Sequence, residues 1–229
     1  MTPKSPILCY VTGRFTLPGG EGALPAAIRS ALDAGVDWIQ IREKTLPTRG
    51  LLELTRSAVH HASEKAAGRA QIILNDRLDV ALAAAAQGVH LAGMSMPVSE
   101  VQRWLQSSQA STPRTPTAAE PPRVPPSFLV GRSCHSLLEA QQAERDSASY
   151  VILGPIFSTP SKLGLGEPLG VARLAEVCRT LRIPVLAIGG ITVESAAQCL
   201  SAGAAGLAAI RLFQASPHLP EIVARLKKP

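Results

Sequence analysis

Eight short apolar runs, each followed by a segment of helical period, constrain this chain more than any other feature. The runs are ILCYVT (7–12), WIQIR (38–42), QIILN (71–75), GVHLA (88–92), FLVGRS (128–133), YVILG (150–154), PVLAIG (184–189) and GLAAIRL (206–212). Between them lie PAAIRSALDAG, RGLLELTRSAVHHASEKA, LDVALAAAA, VSEVQRWLQ, SLLEAQQAERD, GVARLAEVCRTLR and VESAAQCLSAG, and PEIVARLKK closes the chain. Strands of four to seven residues alternating with helices build a parallel sheet. Eight units in 229 residues fit a closed (β/α)8 TIM barrel, class α/β, better than an open flavodoxin-like sheet, which uses fewer units. The expectation is a single TIM-barrel domain over 1–229.

Only one stretch breaks the alternation. SSQASTPRTPTAAEPPRVPPS (107–127) holds six prolines and almost no apolar residue. It cannot bury enough surface to offset its ordering entropy, so it reads as a Pro-rich disordered surface loop. Following the fourth helix, it belongs on the barrel face opposite the usual active site.

Composition removes several function classes. No run of about 18 apolar residues spans a membrane, and MTPKSPILCYVTG lacks the pattern of a signal peptide. Cys9, Cys134, Cys178 and Cys199 are far apart and lie in or beside apolar segments. That spacing suits reduced thiols in a cytoplasmic protein rather than a disulfide framework or a zinc site. The net charge of +6 is spread along the chain and aromatics are only 3%. Nucleic-acid binding, which needs stacking platforms, is therefore not expected. Phosphorylated small molecules are the expected partners, and a homo-oligomer remains open.

In a (β/α)8 barrel the active site is built from the C-terminal ends of the strands. The second run ends Gln40-Ile41-Arg42-Glu43-Lys44. Period-two alternation sends Gln40, Arg42 and Lys44 to one side, which makes an anion site, and Ile41 and Glu43 to the other. The third ends Asn75-Asp76, an amide beside a carboxylate; taken alone, Asp76 before LDVALAAAA reads as a helix N-cap. The fifth ends GRSCHS, with Ser133 and His135 near the mouth and Ser136 as a helix cap. After the sixth comes GPIFSTPSKLG (154–164), a long loop with Thr159, Ser161 and Lys162, of the kind that forms lids. The seventh ends at Gly189-Gly190, whose N–H groups, with the following helix N-terminus, form a phosphate cradle. Arg211 on the eighth adds a cation at the same corner. Two anion sites result: one for a single phosphate, and one around Gln40, Arg42, Lys44, Asn75 and Lys162 with charge enough for a diphosphate.

QIREK (40–44), LNDRLDVALA (74–83), GVHLAGMSMP (88–97), GRSCHS (131–136), GPIFSTPSK (154–162) and AIGGIT (187–192) together resemble the thiamin phosphate synthase and TenI (thiazole tautomerase) family, from YVTG to AAIRLF. The resemblance implies a (β/α)8 barrel and a transferase that displaces diphosphate from hydroxymethylpyrimidine diphosphate by the nitrogen of a thiazole phosphate. It further implies Mg²⁺, which neutralises such a leaving group. By the same resemblance, Gln40, Arg42, Lys44, Asn75, Ser133 and Lys162 bind the diphosphate substrate. Thr159, Ser161 and Gly190 hold the thiazole phosphate, and Asp76 is a metal ligand. Lys162, Ser133 and His135 are the catalytic candidates. The chain departs from the synthase pattern in carrying Ser95 where a second metal-binding Asp is usual. Ala92, Gly93, Gly13 and Arg211 are further departures. One carboxylate can still serve Mg²⁺, with weaker binding expected. The tautomerase branch is the alternative: it moves a proton and needs no metal, with His135 as its acid–base group. A non-catalytic phosphate-binding barrel is the third reading.

Overall fold

The structure is a computed structural model, and it describes residues 5–64, 70–110, 124–125, 127–159, 167–214 and 218–228. Eight parallel strands close into a barrel in sequence order: β1 (Ile7–Val11), β2 (Trp38–Ile41), β3 (Gln71–Asn75), β4 (Gly88–Leu91), β5 (Leu129–Cys134), β6 (Tyr150–Leu153), β7 (Val185–Ile188) and β8 (Gly206–Ala209). β8 closes the ring on β1 through pairs such as Leu8 with Leu207. The helices around it are α1 (Leu24–Asp33), α2 (Thr48–Glu64), α3 (Leu78–Ala83), α4 (Val98–Ala110), α5 (Leu137–Arg145), α6 (Gly170–Thr180), α7 (Val193–Ser201), α8 (Arg211–Gln214) and α9 (Leu219–Lys227).

The strands are apolar on both faces because both faces are covered. One side chain of each alternating pair packs under the helices, as Leu8, Ile72, Val89, Val130 and Leu207 do. The other enters the barrel, where Cys9, Val11, Ile73, Ile152, Leu186 and Ala208 form a second, smaller core. The helices are held by apolar stripes. α1 buries Leu24, Ile28, Ala31 and Leu32, the spacing of one helical face. Ile28 is 1% exposed, so truncation to Ala costs about 2–5 kcal/mol.

Three expectations change. The eighth strand ends at Ala209, and Arg211 opens the short helix α8 instead of continuing the strand to 212. The Pro-rich segment begins later than position 107: α4 runs on to Ala110, because SSQA carries no breaker before Pro113. Most of 111–127 lies outside the described residues. Asp76 does not cap α3; the N-cap is Arg77, and Asp76 stands at φ 63 with its carboxylate turned elsewhere. Ser136 does cap α5, accepting from Glu139 N.

Candidate active site at the C-terminal mouth

The upper layer of the barrel interior is polar. Gln40, Asn75, His90 and Ser133 occupy the inward positions of β2 to β5, above the apolar layer. A continuous chain of hydrogen bonds joins β2, β3 and the loop after β4. Gln40 Nε2 donates to Asn75 Oδ1 (3.2 Å), and Asn75 Nδ2 donates to Asp76 Oδ2 (2.7 Å). Asp76 Oδ1 accepts from Ala92 N (3.0 Å) and from the Ser95 hydroxyl in a very short contact. A carboxylate only accepts, so Asp76 fixes the Asn75 amide, and Asn75 fixes Gln40 in turn. Among the described residues, Gln40 Oε1 is buried without a partner. Beside Asn75 and Asp76 is a cavity of about 280 Å³, also lined by Lys44, Glu43 and Arg77.

Glu43 points away from this chain, as alternation requires. It is 7% exposed, and its carboxylate accepts from Thr12 Oγ1 (2.6 Å) and Arg14 N (3.2 Å). Thr12 Oγ1 also accepts from Arg42 N (2.9 Å), so the buried carboxylate ties β1 to β2 and sets the backbone at Arg42. Burial pushes the Glu43 carboxyl up, opposed by the Thr12 and Arg14 hydrogen bonds. Lys44 is exposed and Arg42 half-buried; among the described residues neither forms an ion pair within 4 Å, although the Arg42 charge acts on the Glu43 carboxylate.

Across the mouth, Arg211 Nη2 donates to Thr159 Oγ1 (2.9 Å), linking the loop after β6 to α8. Gly189 and Gly190 lie beneath that loop at φ 97 and 66. A Cβ at Gly190 would stand 2.6 Å from Ser158 O, and one at Gly189 2.6 Å from Pro155 Cβ. The glycines are thus demanded by loop packing as well as by any anion. Thr192 and Ser195 form a capping box that satisfies part of the α7 N-terminus. Ser161 and Lys162 lie outside the described residues.

Ser133 and His135 separate. Ser133 Oγ is 2.8 Å from Nε2 of His90, which is buried, whereas His135 Nδ1 donates to Gly154 O. The exposed His135 lines a different cavity of about 410 Å³ with Leu137, Leu138, Leu169 and Arg173. Sequence reasoning missed His90 and Tyr150. The signal was present in GVHL, where alternation puts His90 on the inner face. Burial drives the His90 imidazole down to about 3; Asp76 opposes this, and Arg132 and Arg42 add to it.

No cluster of three or more His, Cys, Asp or Glu among the described residues could hold a metal. Among the described residues, the polar chain at the mouth offers a cation the exposed carboxylate of Asp76, with the Ser95 hydroxyl beside it. Mg²⁺ takes one or two carboxylates and completes its octahedron with water and phosphate oxygens, so this donor set fits it in the presence of a phosphorylated ligand.

Fold and mouth together define a (β/α)8 barrel with a polar, cation-flanked site at the C-terminal ends of its strands. Residues 8–110 and 114–213 match the family model described as thiamine monophosphate synthase. A thiamine-phosphate synthase from Methanoculleus marisnigri is 40% identical over 201 residues, 88% of this chain and 84% of that protein. One from Roseiflexus castenholzii is 37% identical over 206 residues, 90% and 80% respectively. Among solved structures, the thiamine phosphate pyrophosphorylase from Pyrococcus furiosus superposes with a TM-score of 0.76 at 28% identity, covering 97% of this chain and 95% of that one. The chain belongs to the thiamine monophosphate synthase family.

Proposed function

We propose that this chain is a transferase that joins hydroxymethylpyrimidine diphosphate to thiazole phosphate and releases diphosphate. The C–O bond to the diphosphate breaks and a C–N bond to the thiazole nitrogen forms. The hydrogen-bonded chain Gln40–Asn75–Asp76–Ser95, flanked by Arg42 and Lys44, carries this reading. A leaving diphosphate requires fixed positive charge and preorganised donors more than it requires a strong base. Arg42, Lys44 and Lys162 supply the charge, while Gln40, Asn75 and Ser133 orient the substrate. Thr159, Ser161, Arg211 and the Gly189–Gly190 backbone hold the second substrate's phosphate.

Asp76 and Ser95 would hold Mg²⁺, which when bound neutralises charge on the diphosphate. Asp76 Oδ1 already accepts from Ala92 N and from the Ser95 hydroxyl, so a cation there would displace those two protons, leaving the Ser95 oxygen free to coordinate, and would depend on the substrate's own oxygens. The tautomerase alternative finds no support at His135, whose ring is bound to Gly154 O and stands apart from the polar chain. No helix among the described residues is long and apolar enough to cross a membrane, and a cytoplasmic enzyme on phosphorylated small molecules accords with that.

Steady-state kinetics of Asn75→Ala test the reading. Removing the link between Gln40 and Asp76 is expected to lower kcat/KM for the pyrimidine diphosphate by about 100-fold, as for a preorganised donor. A change under threefold would count against it.

A further inference from the structure

Beneath the mouth runs a second polar chain, from β6 through β4 to β5, whose inner members the reaction above does not use. Tyr150 reaches the barrel axis because position 131 is glycine: a Cβ there would lie 2.1 Å from Tyr150 Cζ and 2.4 Å from its hydroxyl oxygen. That hydroxyl is 3.1 Å from His90 Nδ1, and His90 Nε2 is 2.8 Å from Ser133 Oγ. Tyr150 and His90 are each 1% exposed, while Ser133 is partly open.

The protons in this chain can be placed by counting donors. Among the described residues, the partner of the Tyr150 hydroxyl is His90 Nδ1. Leaving the buried hydroxyl proton without an acceptor would disfavour the arrangement by about tenfold or more. Tyr150 therefore donates to Nδ1. A neutral imidazole with Nδ1 as acceptor carries its proton on Nε2. His90 then donates to Ser133 Oγ, and Ser133 keeps its own proton free.

We propose that Tyr150 and His90 are positioning residues that make Ser133 a one-way hydrogen-bond donor to an acceptor atom of the substrate, an anionic oxygen or a ring nitrogen. The same polarity excludes Ser133 as a nucleophile activated by His90, since Nε2 gives a proton and takes none. The His90 ring is buried between the Tyr150 hydroxyl and Ser133 with no carboxylate hydrogen-bonded to either nitrogen among the described residues, and burial without such a partner disfavours a second proton on the ring. Trp38, edge-on to Tyr150 at 4.7 Å between ring centroids, holds the phenol in line. The kinetic part of this inference rests on the proposed function; the tautomer does not.

The test is nitrogen NMR of the full chain labelled in its five histidines, with His90 assigned by His90→Gln. Nε2 is expected to carry the proton. Nδ1 is expected to resonate as a hydrogen-bonded acceptor, and to move to the unbonded position in Tyr150→Phe. Tyr150→Phe and Ser133→Ala should each lose about tenfold or more in kcat/KM, with the double variant no worse than Ser133→Ala. Melting curves of both variants check that the fold is kept. A proton on Nδ1 in the unaltered protein overturns the inference whatever the protein turns over. Nε2–H together with unchanged turnover in Ser133→Ala overturns the donor role. Absence of turnover by the unaltered protein counts against the proposed function and leaves the tautomer to be read by NMR.

Discussion

Replacing Gly190 by Ala joins the fold and the candidate site in one perturbation. Gly190 stands at φ 66, and a Cβ there would lie 2.6 Å from Ser158 O and 2.7 Å from Phe157 Cβ. A left-handed backbone costs an L residue roughly 1–2 kcal/mol. Overpacking against a backbone carbonyl adds about 1–3 kcal/mol. The sum, about 2–5 kcal/mol, corresponds to a fall in Tm of about 5–20 °C for a chain of this size. Part of that strain is relieved if residues 157–159 move, and then Thr159 leaves Arg211. The KM for thiazole phosphate should therefore rise even if stability is partly recovered. Gly93→Ala is the control, because a Cβ there meets nothing within 4 Å. Calorimetry and kinetics on both variants suffice. A Gly190→Ala protein that melts with the Gly93→Ala control and keeps its KM would refute the reasoning.

His90 has a folded-state value of about 3, below its ordinary 6.5, so the unfolded chain binds the extra proton between those limits. Its contribution to stability is present above about pH 6.5 and is lost on acidification at about 1.4 kcal/mol per pH unit; urea unfolding from pH 7 to 4 should show that slope, flattened in His90→Gln. Ser95→Asp places a second carboxylate beside Asp76 and should tighten Mn²⁺ binding about tenfold or more by electron paramagnetic resonance; unchanged affinity would show that Ser95 does not border the cation. Burial pushes Cys9 and Cys134 up to about 12 and Cys178 and Cys199 up to about 11, so thiol reagents at pH 8 should find the native protein nearly inert. Cys178, the one not fully buried, should react first.

The barrel was legible because its strands and helices follow two different hydrophobic periods, and most strand ends fell within a residue or two of their observed places. Strand eight was overextended because Ile210-Arg211-Leu212 prolongs an apolar run that the chain breaks by turning into α8. The polar residues at the mouth were legible for the same reason: Gln40 and Asn75 end apolar runs on the inner parity. Asp76 was harder. Local sequence favours a cap there, and only the approach of the loop after β4, 16 and 19 residues on, brings Ala92 and Ser95 to its carboxylate. His90 was passed over because it sits inside an apolar run, where a histidine resembles a core residue. Its role appears only once β5 and β6 place Ser133 and Tyr150 on either side. His135 shows the converse: two residues beyond Ser133, it shares the parity of the inner face, yet β5 ends at Cys134 and the side chain turns out toward α6.

The most direct test of the central claim is product formation by the purified full chain. Supplied with hydroxymethylpyrimidine diphosphate, thiazole phosphate and Mg²⁺, it is expected to yield thiamin phosphate and diphosphate in equal amounts, with turnover falling on chelation. No thiamin phosphate, under conditions where a relative such as the Methanoculleus marisnigri synthase forms it, would contradict the account.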